Sequence, residues 1–248
     1  MKKFMVVLIA IVVAFAFISE TDAKKKKKKK SKYKVIEVTD GGSISGMAVF
    51  AGGTPPKDEV LTLTSEQSLC GDTLPARKYI INGNNEIKNV VVYLDGIKKG
   101  KAIPNSPVVI DNIKCAFEPH VSVGVSGKSS TAIIKNSDPV FHNTHSYIKG
   151  RTMFNLGLPD QGSQVEKKMR KPGIMEVKCD SHPWMKGYVF FAPHPYSSLT
   201  DAAGKFSIED IPAGSYKVKA WHEGFGEIEL GKVTVAAGKA TSVKAEFN

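Results

Sequence analysis

The sequence lacks the residue patterns on which many hydrolases and nucleotide-binding enzymes depend. It contains no G-x-S-x-G, no G-x-x-x-x-G-K-[ST] and no H-E-x-x-H, which are the patterns of serine hydrolases, phosphate-binding loops and zinc proteases. No pair of carboxylates is set apart by its sequence surroundings. With three cysteines in 248 residues, the chain is also too poor in cysteine for a disulfide scaffold. We therefore do not expect an enzyme.

A long apolar run is also missing. The apolar stretch at residues 4–18 is shorter than the roughly 20 residues that a membrane span needs. It follows Lys2 and Lys3 and precedes small residues that end at Ala23, a pattern that predicts a signal peptide over residues 1–23 and a periplasmic or extracellular location. The lysines directly after it favour retention inside the cell. An uncleaved membrane anchor is therefore the alternative.

The excess of positive charge is confined to one short segment. The net charge is +11, but nine lysines between residues 24 and 34 leave only +2 for residues 35–248. Such a block predicts a disordered tail over residues 24–39, in weak electrostatic contact with an anionic membrane, a surface polymer or an acidic partner. The charge of the remaining chain gives no reason to expect nucleic acid as a ligand.

Short stretches of Val, Ile, Thr, Tyr and Phe between glycine and proline turns predict an all-β protein. GSISG begins at Gly42, NVVVYLDG begins at Asn89, and residues 201–218 follow D-x-x-G-x-F-x-I-x-x-I-P-x-G-x-Y-x-V. These patterns resemble the carboxypeptidase-regulatory-like, or transthyretin-like, domain. The resemblance implies one β-sandwich made from residues 40–100 and 195–248, with residues 101–194 inserted between its two parts. Two unrelated β segments beside a separate domain are the alternative.

The candidate chemistry lies in residues 101–194. The sequence VKCDSHPWMKGYVFF places Cys179, His182 and Met185 in one loop between two predicted strands, and His142 follows a turn at the end of another strand. An exported protein meets oxidising conditions, where three cysteines leave one unpaired. Cys70 and Cys115 form a possible disulfide, although spacing alone does not decide the pairing. Cys179 is then the remaining thiol, and metal ligation is a physical reason to keep it reduced. A buried cysteine that packs as a small apolar residue is the alternative.

A thiolate, two imidazoles and a thioether are the ligand set of a mononuclear blue-copper site. Zinc competes for thiolate and imidazole, but methionine has no good role in structural or catalytic zinc sites. These residues favour one copper ion.

Residues 101–194 also resemble the cupredoxins, the plastocyanin, pseudoazurin and azurin group. The resemblance lies in F-x-P at residues 117–119, N-x-D-x-x-x-H-N at residues 136–143, and the C-x-x-H loop that leads through methionine to G-x-V at residues 187–189. It implies a Greek-key β-barrel in which His142, Cys179, His182 and Met185 bind copper. Only two residues separate His182 from Met185, fewer than in plastocyanin-like loops, which makes Met185 the least secure ligand.

Several neighbouring residues have two readings. Asn143 is expected to join the two ligand loops through hydrogen bonds, or else to serve only a turn. Pro183 and Trp184 are expected to stiffen and shield the loop, although Trp184 also suits the core. His145 is the alternative to His142. The other histidines, at strand ends, are expected to be hydrogen-bonded structural residues, with an exposed imidazole or a second metal site as the alternative: His120, His194 and His222.

The most direct functional prediction is an exported electron-transfer protein with one copper ion that alternates between Cu(I) and Cu(II). Its expected partner is a redox protein such as a cytochrome. The alternatives are a periplasmic copper storage or delivery protein, which uses the same ligands without a redox partner, and a surface module that binds polysaccharide or protein without redox chemistry.

Overall fold

A computed structural model describes residues 33–248; the predicted signal peptide and the lysine run at residues 24–30 lie outside the described residues. Within the described residues the regular elements are twenty strands and one four-residue helix, which confirms the all-β prediction. Among these residues no helix has the length and hydropathy of a membrane span. The elements in chain order are β1 (Lys34–Val35), β2 (Gly42–Phe50), β3 (Val60–Thr62), α1 (Gln67–Cys70), β4 (Thr73–Pro75), β5 (Val91–Asp95), β6 (Lys99–Gly100), β7 (Val108–Ile113), β8 (Ala116–Glu118), β9 (Val121–Val125), β10 (Thr131–Asn136), β11 (His142–Ile148), β12 (Arg151–Leu158), β13 (Gln164–Lys168), β14 (Gly173–Lys178), β15 (Lys186–Ala192), β16 (Ser197–Leu199), β17 (Lys205–Ile211), β18 (Gly214–His222), β19 (Gly226–Val235) and β20 (Ala240–Phe247).

Two sheets at the ends of the described chain form a sandwich. One has the strand order β16–β5–β18–β19 and the other has the order β17–β2–β20. Strands β2 and β5 precede residues 101–194 and strands β16–β20 follow them. Alternate residues of β2 and β17, such as Ile44 and Phe206, are buried in a common core, as expected for strands with one face toward a second sheet.

The intervening residues form two further sheets, which we call the central unit. Their strand orders are β13–β10–β7–β8 and β12–β11–β14–β15–β9. Within them β7 runs parallel to β10 and β9 runs parallel to β15, while the other neighbours are antiparallel. The core between these sheets contains Phe117, Met175, Val177 and Phe191. Cys179 and Met185 belong to the same core, so the candidate site is continuous with it.

A third buried cluster holds the central unit against the sandwich. It joins Val91 and Tyr93 of β5 and Trp221 of β18 to Val121 of β9 and Phe190 of β15. The rings of Tyr93 and Phe190 lie 4.7 Å apart, within the range of favourable aromatic pairs. The central unit is therefore packed against a sheet of the sandwich.

Residues 57–78, which we call the covering segment, contribute no strand to either sandwich sheet. Instead they contain the β3–β4 hairpin and the short helix α1. The carboxylate of Asp58 accepts the backbone N–H groups of Arg77, Lys78 and Tyr79, which closes the base of the segment. The Arg77 guanidinium donates to the Phe117 carbonyl at 2.8 Å. The segment thus packs on the central unit, a placement that the sequence did not predict.

Residues 33–39 belong to the folded part of the chain, whereas the sequence predicted that the disordered tail continues to residue 39. Strand β1 pairs with β6 in parallel. The Tyr33 hydroxyl donates to the Lys101 carbonyl at 2.7 Å, and its ring packs near those of His194 and Tyr196. Aromatic burial and strand pairing stabilise this piece despite its neighbouring lysines.

Candidate metal centre

The candidate ligands come from two neighbouring strands and a turn. Strand β11 begins at His142, and Cys179 follows directly after β14. The two strands are antiparallel, with His145 opposite Lys178. This register places the start of β11 beside the end of β14, so residues 37 positions apart meet. His182 lies in the turn between Cys179 and β15.

The alternation of side chains along β14 aims Cys179 inward. Met175, Val177 and Cys179 are buried at every second position. Between them, Glu176 and Lys178 form an ion pair on the other face. Because successive side chains point to opposite faces of a strand, the thiol continues the buried row. The apolar pattern of the strand therefore sets the direction of the candidate ligand.

Three donor atoms form a compact buried triangle. Nδ1 of His142 lies 3.0 Å from Nδ1 of His182 and 4.0 Å from Sγ of Cys179, and Sγ lies 3.5 Å from Nδ1 of His182. The exposed fractions are 0% for His142, 3% for Cys179 and 4% for His182. Among residues 33–248 these are the one His/Cys/Asp/Glu group of three or more with ligand atoms close enough to hold a metal ion together.

The triangle has the size that metal ligation requires. A point equidistant from its three corners lies about 2.1 Å from each atom and inside the triangle, close to ordinary metal–imidazole and metal–thiolate bond lengths of roughly 2.0–2.3 Å. Two imidazole nitrogens and one sulfur around a central point form a trigonal set. These residues are therefore close enough together to hold one metal ion.

Asp138 fixes the tautomer of His142. Nε2 of His142 lies 3.0 Å from Oδ2 of Asp138. An ionised carboxylate only accepts hydrogen bonds, so Nε2 carries the proton and Nδ1 keeps its lone pair toward Cys179 and His182. A carboxylate behind the ligand histidine is a frequent arrangement in metal sites. Asp138 is 4% exposed and also accepts the N–H groups of Lys114 and Cys115.

Burial determines the protonation states at this site. It lowers the pKa of His142, opposed by the hydrogen bond and charge of Asp138, and it lowers the pKa of His182, with the charge of His142 acting in the same direction. Both imidazoles are thereby favoured in the neutral form that binds cations. Burial raises the pKa of the Cys179 thiol, opposed by backbone N–H groups. A bound cation would favour the thiolate that burial disfavours.

Asn143 connects the two ligand segments. Its Oδ1 accepts the Asp180 N–H at 2.7 Å, and its Nδ2 donates to the Asp180 carboxylate at 2.9 Å. Its own backbone N–H donates to Sγ of Cys179 at 3.4 Å. Asn155 extends this network by donating to Asp180. The hydrogen bonds fix the end of β14 against the start of β11, next to both candidate ligands.

The turn from His182 to Met185 is short and closed. The Met185 N–H donates to the His182 carbonyl at 2.9 Å, and the Cys179 N–H donates to the Met185 carbonyl at 3.3 Å. Met185 is 1% exposed and packs in the core that contains Cys179. Trp184 is half-buried with its ring 5.1 Å from that of His182, whereas Pro183 is exposed. Shielding of His182 therefore comes from Trp184.

The remaining histidines lie outside the triangle. His145, the alternative to His142, contacts Asp180 and Thr152 instead. His120 pairs with the buried carboxylate of Glu223. His194 and His222 accept the backbone N–H groups of Tyr196 and Gly224. Each of these four side chains has a structural partner, which is the reading that the sequence favoured for three of them.

Sequence reasoning missed the roles of Asp138 and Cys115 beside the centre. Asp138 belongs to the N-x-D-x-x-x-H-N pattern, but its contact with His142 was not predicted. The structure joins Cys70 and Cys115 in a disulfide with a Cα–Cα distance of 5.6 Å. Cys115 also accepts the Trp184 indole N–H at 3.2 Å. The signal for Asp138 was its place four residues before the histidine, since a short turn allows its carboxylate to reach the ring.

Solved structures similar to part of this chain include a copper-containing nitrite reductase, a purple cupredoxin and an amicyanin. The Cu-containing nitrite reductase NirK from Thermus scotoductus SA-01 is 24% identical, with 37% of this chain and 23% of that chain covered and a TM-score of 0.30. A purple cupredoxin from Nitrosopumilus maritimus is 24% identical, with 35% and 99% covered and a TM-score of 0.30. Amicyanin from Paracoccus versutus is 19% identical, with 36% and 84% covered and a TM-score of 0.30.

No curated protein sequence matches the chain. Residues 191–248 match the family described as the carboxypeptidase regulatory-like domain. This match confirms the resemblance found in the second half of the predicted sandwich. It begins in strand β15 and covers strands β16–β20. Residues 191–248 are thus similar to a carboxypeptidase regulatory-like domain, and the central unit beside them contains a His–Cys–His cluster.

Proposed function

We propose that the chain binds one copper ion through His142, Cys179 and His182 and serves as a one-electron carrier. The observation that carries this proposal is the buried trigonal set of two Nδ1 atoms and one Sγ atom. Two histidines and one cysteine in a trigonal arrangement are the donor set of blue-copper electron-transfer sites. A bound copper ion would supply the couple between Cu(I) and Cu(II).

The protein residues support this chemistry by holding their positions. Asp138 holds His142 in the tautomer that leaves Nδ1 free, and Asn143 ties both ligand segments together. Burial of all three donors excludes water from the ligand atoms. Ligands that are held in this way need little rearrangement when the charge at the centre changes by one.

Met185 would serve as a fourth, weak ligand, because a thioether accompanies this donor set in blue-copper sites. Its burial beside Cys179 supports the assignment. Zinc is less well served, because structural zinc sites use four Cys or His ligands and catalytic zinc sites keep an open position. The three donors are fewer than the first requires and too deeply buried for the second.

We further propose that the protein is exported by residues 1–23, or held at the membrane by them, and acts in the periplasm or outside the cell. Its redox partner is a protein such as a cytochrome, and its role is that of a carrier and not of an enzyme. The apolar run after Lys2 and Lys3 supports export, and the absence of the common catalytic motifs from the sequence supports a carrier.

The proposal is tested by titrating the purified chain with Cu(II) while visible and electron-spin-resonance spectra are recorded. We expect about one copper ion per chain and an intense visible band from the copper–thiolate bond. Cys179→Ser should abolish the band, because a hydroxyl does not supply the same charge transfer, and His182→Gln should alter it. His145→Gln is the matched control and should leave it unchanged. A colourless protein that prefers zinc would contradict the proposal.

A further inference from the structure

Cys115 contacts both segments that carry the candidate ligands. Its side chain is fully buried and bonded to Cys70 of the covering segment. Its backbone N–H donates to Asp138 at 2.8 Å, and its backbone carbonyl accepts the Trp184 indole N–H at 3.2 Å. One residue outside the triangle therefore touches a partner of His142 on one side and a neighbour of His182 on the other.

The first contact leads to His142. Lys114 and Cys115 both have positive φ angles, 52° and 57°, a conformation that few residues other than glycine adopt. It directs two consecutive N–H groups at the same carboxylate, with Lys114 N–H at 2.7 Å from Oδ1 of Asp138. Oδ2 of Asp138 accepts from both Cys115 and the His142 imidazole. The carboxylate is thus held in place by the Lys114–Cys115 turn while it orients the ring.

The second contact leads to the ligand turn. The indole N–H of Trp184 is bonded to Cys115, and the Trp184 ring lies 5.1 Å from the His182 ring. Trp184 sits between His182 and Met185, in the turn closed by the Met185 N–H and the His182 carbonyl. A displacement of Cys115 would therefore move the Trp184 ring, against which His182 packs.

The disulfide fixes the Cys115 turn from outside the central unit. Cys70 ends helix α1 of the covering segment, and it lies 45 positions before Cys115 in the sequence. The hairpin residues Leu61 and Leu74 line a small cavity of about 20 Å³ together with Cys115, Trp184 and Met185. The covering segment is therefore attached at the same place where the ligand turn packs.

We propose that Cys115, held by its disulfide to Cys70, is a positioning residue for the metal centre and acts on His142 through Asp138 and on His182 through Trp184. This inference rests on the proposed copper function only for its effect on affinity. Its effect on the His142 tautomer does not require a metal ion. Partners behind a ligand histidine commonly change metal affinity by about 10- to 100-fold when they are removed.

The decisive variant is Asp138→Asn, studied in the full chain without metal by ¹⁵N spectra of the histidine rings. In the wild type we expect His142 to carry its proton on Nε2. An asparagine amide can donate to Nε2 and shift the proton to Nδ1, the atom that faces Cys179. We therefore expect a large increase in the Nδ1–H form and a loss of Cu(II) affinity of about 10- to 100-fold. Ser137→Ala is the control, because Ser137 is half-buried and its hydroxyl bonds to Asp111.

The double substitution Cys70→Ser and Cys115→Ser tests the role of the disulfide. We expect it to lower Cu(II) affinity in the same direction and to increase the Nδ1–H form of His142. Because Cys115 acts partly through Asp138, adding Asp138→Asn to this variant should lower affinity by less than the sum of the separate effects. If the disulfide variant does not fold, the ¹⁵N spectra of Asp138→Asn alone test whether the contact with Asp138 sets the His142 tautomer.

An unchanged His142 tautomer in Asp138→Asn would overturn the positioning role, as would additive effects of the two changes. The outcomes are separable from those of the proposed function. A chain that binds no copper but shows the tautomer change would refute the copper proposal and support the positioning role. If the wild type binds copper, but Asp138→Asn changes neither the His142 tautomer nor the copper affinity, the copper proposal is supported and the positioning role is refuted.

Discussion

Acidification should destabilise the fold through two histidines of the sandwich region that are buried in the neutral form. Burial lowers the pKa of His222 from 6.5 to about 4, and electrostatic interactions with His120 and Lys78 act in the same direction. Burial also lowers the pKa of His194 from 6.5 to about 4. Their exposed fractions are 1% and 2%. Between these pH values the unfolded chain binds a proton at each position and the folded chain does not.

The sign and size follow from linkage. Since the unfolded state binds more protons, the free energy of unfolding falls as the pH drops from about 6.5 to about 4. By pH 5 each histidine should have lowered the free energy of unfolding by about 2 kcal/mol, because one pKa unit corresponds to about 1.4 kcal/mol. The contribution is fully present above pH 7. Carboxylates with ordinary pKa values change little between pH 7 and pH 5, so this window isolates the histidines best.

Urea unfolding of the metal-free chain at pH 7, 6 and 5 measures the effect. His222→Gln should lose about 2 kcal/mol less than the wild type between pH 7 and pH 5, because glutamine does not titrate and its carbonyl can accept the Gly224 N–H. His194→Gln should behave in the same way. Parallel pH profiles for the wild type and both variants would refute the claim that these imidazoles are buried in the neutral form.

Three further results are expected. Met185→Ala should shift the colour and the reduction potential of the copper-loaded chain while copper is retained. It should also lower the free energy of unfolding of the metal-free chain by about 2–5 kcal/mol, because the Met185 side chain is fully buried. A colour and a stability equal to those of the wild type would contradict both expectations. Asn143→Ala should lower the unfolding free energy in urea by about 2–3 kcal/mol, since it breaks the bonds that join the ligand segments. The loss should exceed that of the same change at the exposed Asn155, and equal losses would exclude that role. Deleting residues 24–31 should leave the copper spectrum unchanged and weaken binding to anionic vesicles at low salt. The difference should fade at physiological salt, where the Debye length falls to about 8 Å. Vesicle binding that does not depend on salt would contradict an electrostatic role for the lysines.

The sequence predicted local features more reliably than contacts between distant segments. The strands on either side of the Cys179 loop and the glycine turn at residues 201–204 follow from side-chain and backbone preferences over a few residues, so the sequence predicted them. The three donors were identifiable from chemistry, although His142 and Cys179 lie 37 positions apart in the sequence and only the β11–β14 register brings them together. The covering segment was not predicted, because its position depends on the disulfide and on packing of Leu61 and Leu74.

Asp138 shows a second limit of sequence reasoning. An aspartate before a proline in a turn has many local roles. Its place four residues before His142 allows a contact with that ring, but nothing in the sequence indicates that the same carboxylate also accepts the backbone N–H of Cys115. The end of the lysine tail was misplaced for a similar reason. Tyr33 binds the Lys101 carbonyl, which lies 68 residues away, and such a contact has no local signature.

The most direct test of the central claim is a stepwise reductive titration of the copper-loaded chain, followed by visible absorption and electron-spin resonance. The thiolate and two imidazoles should remain bound in both oxidation states, because Asp138 and Asn143 hold them in place. We therefore predict uptake of one electron per chain, loss of both signals on reduction, and their full return on reoxidation over repeated cycles. Copper that is released on reduction, or that shows no reversible one-electron couple, would contradict an electron carrier and leave copper storage or delivery as the function.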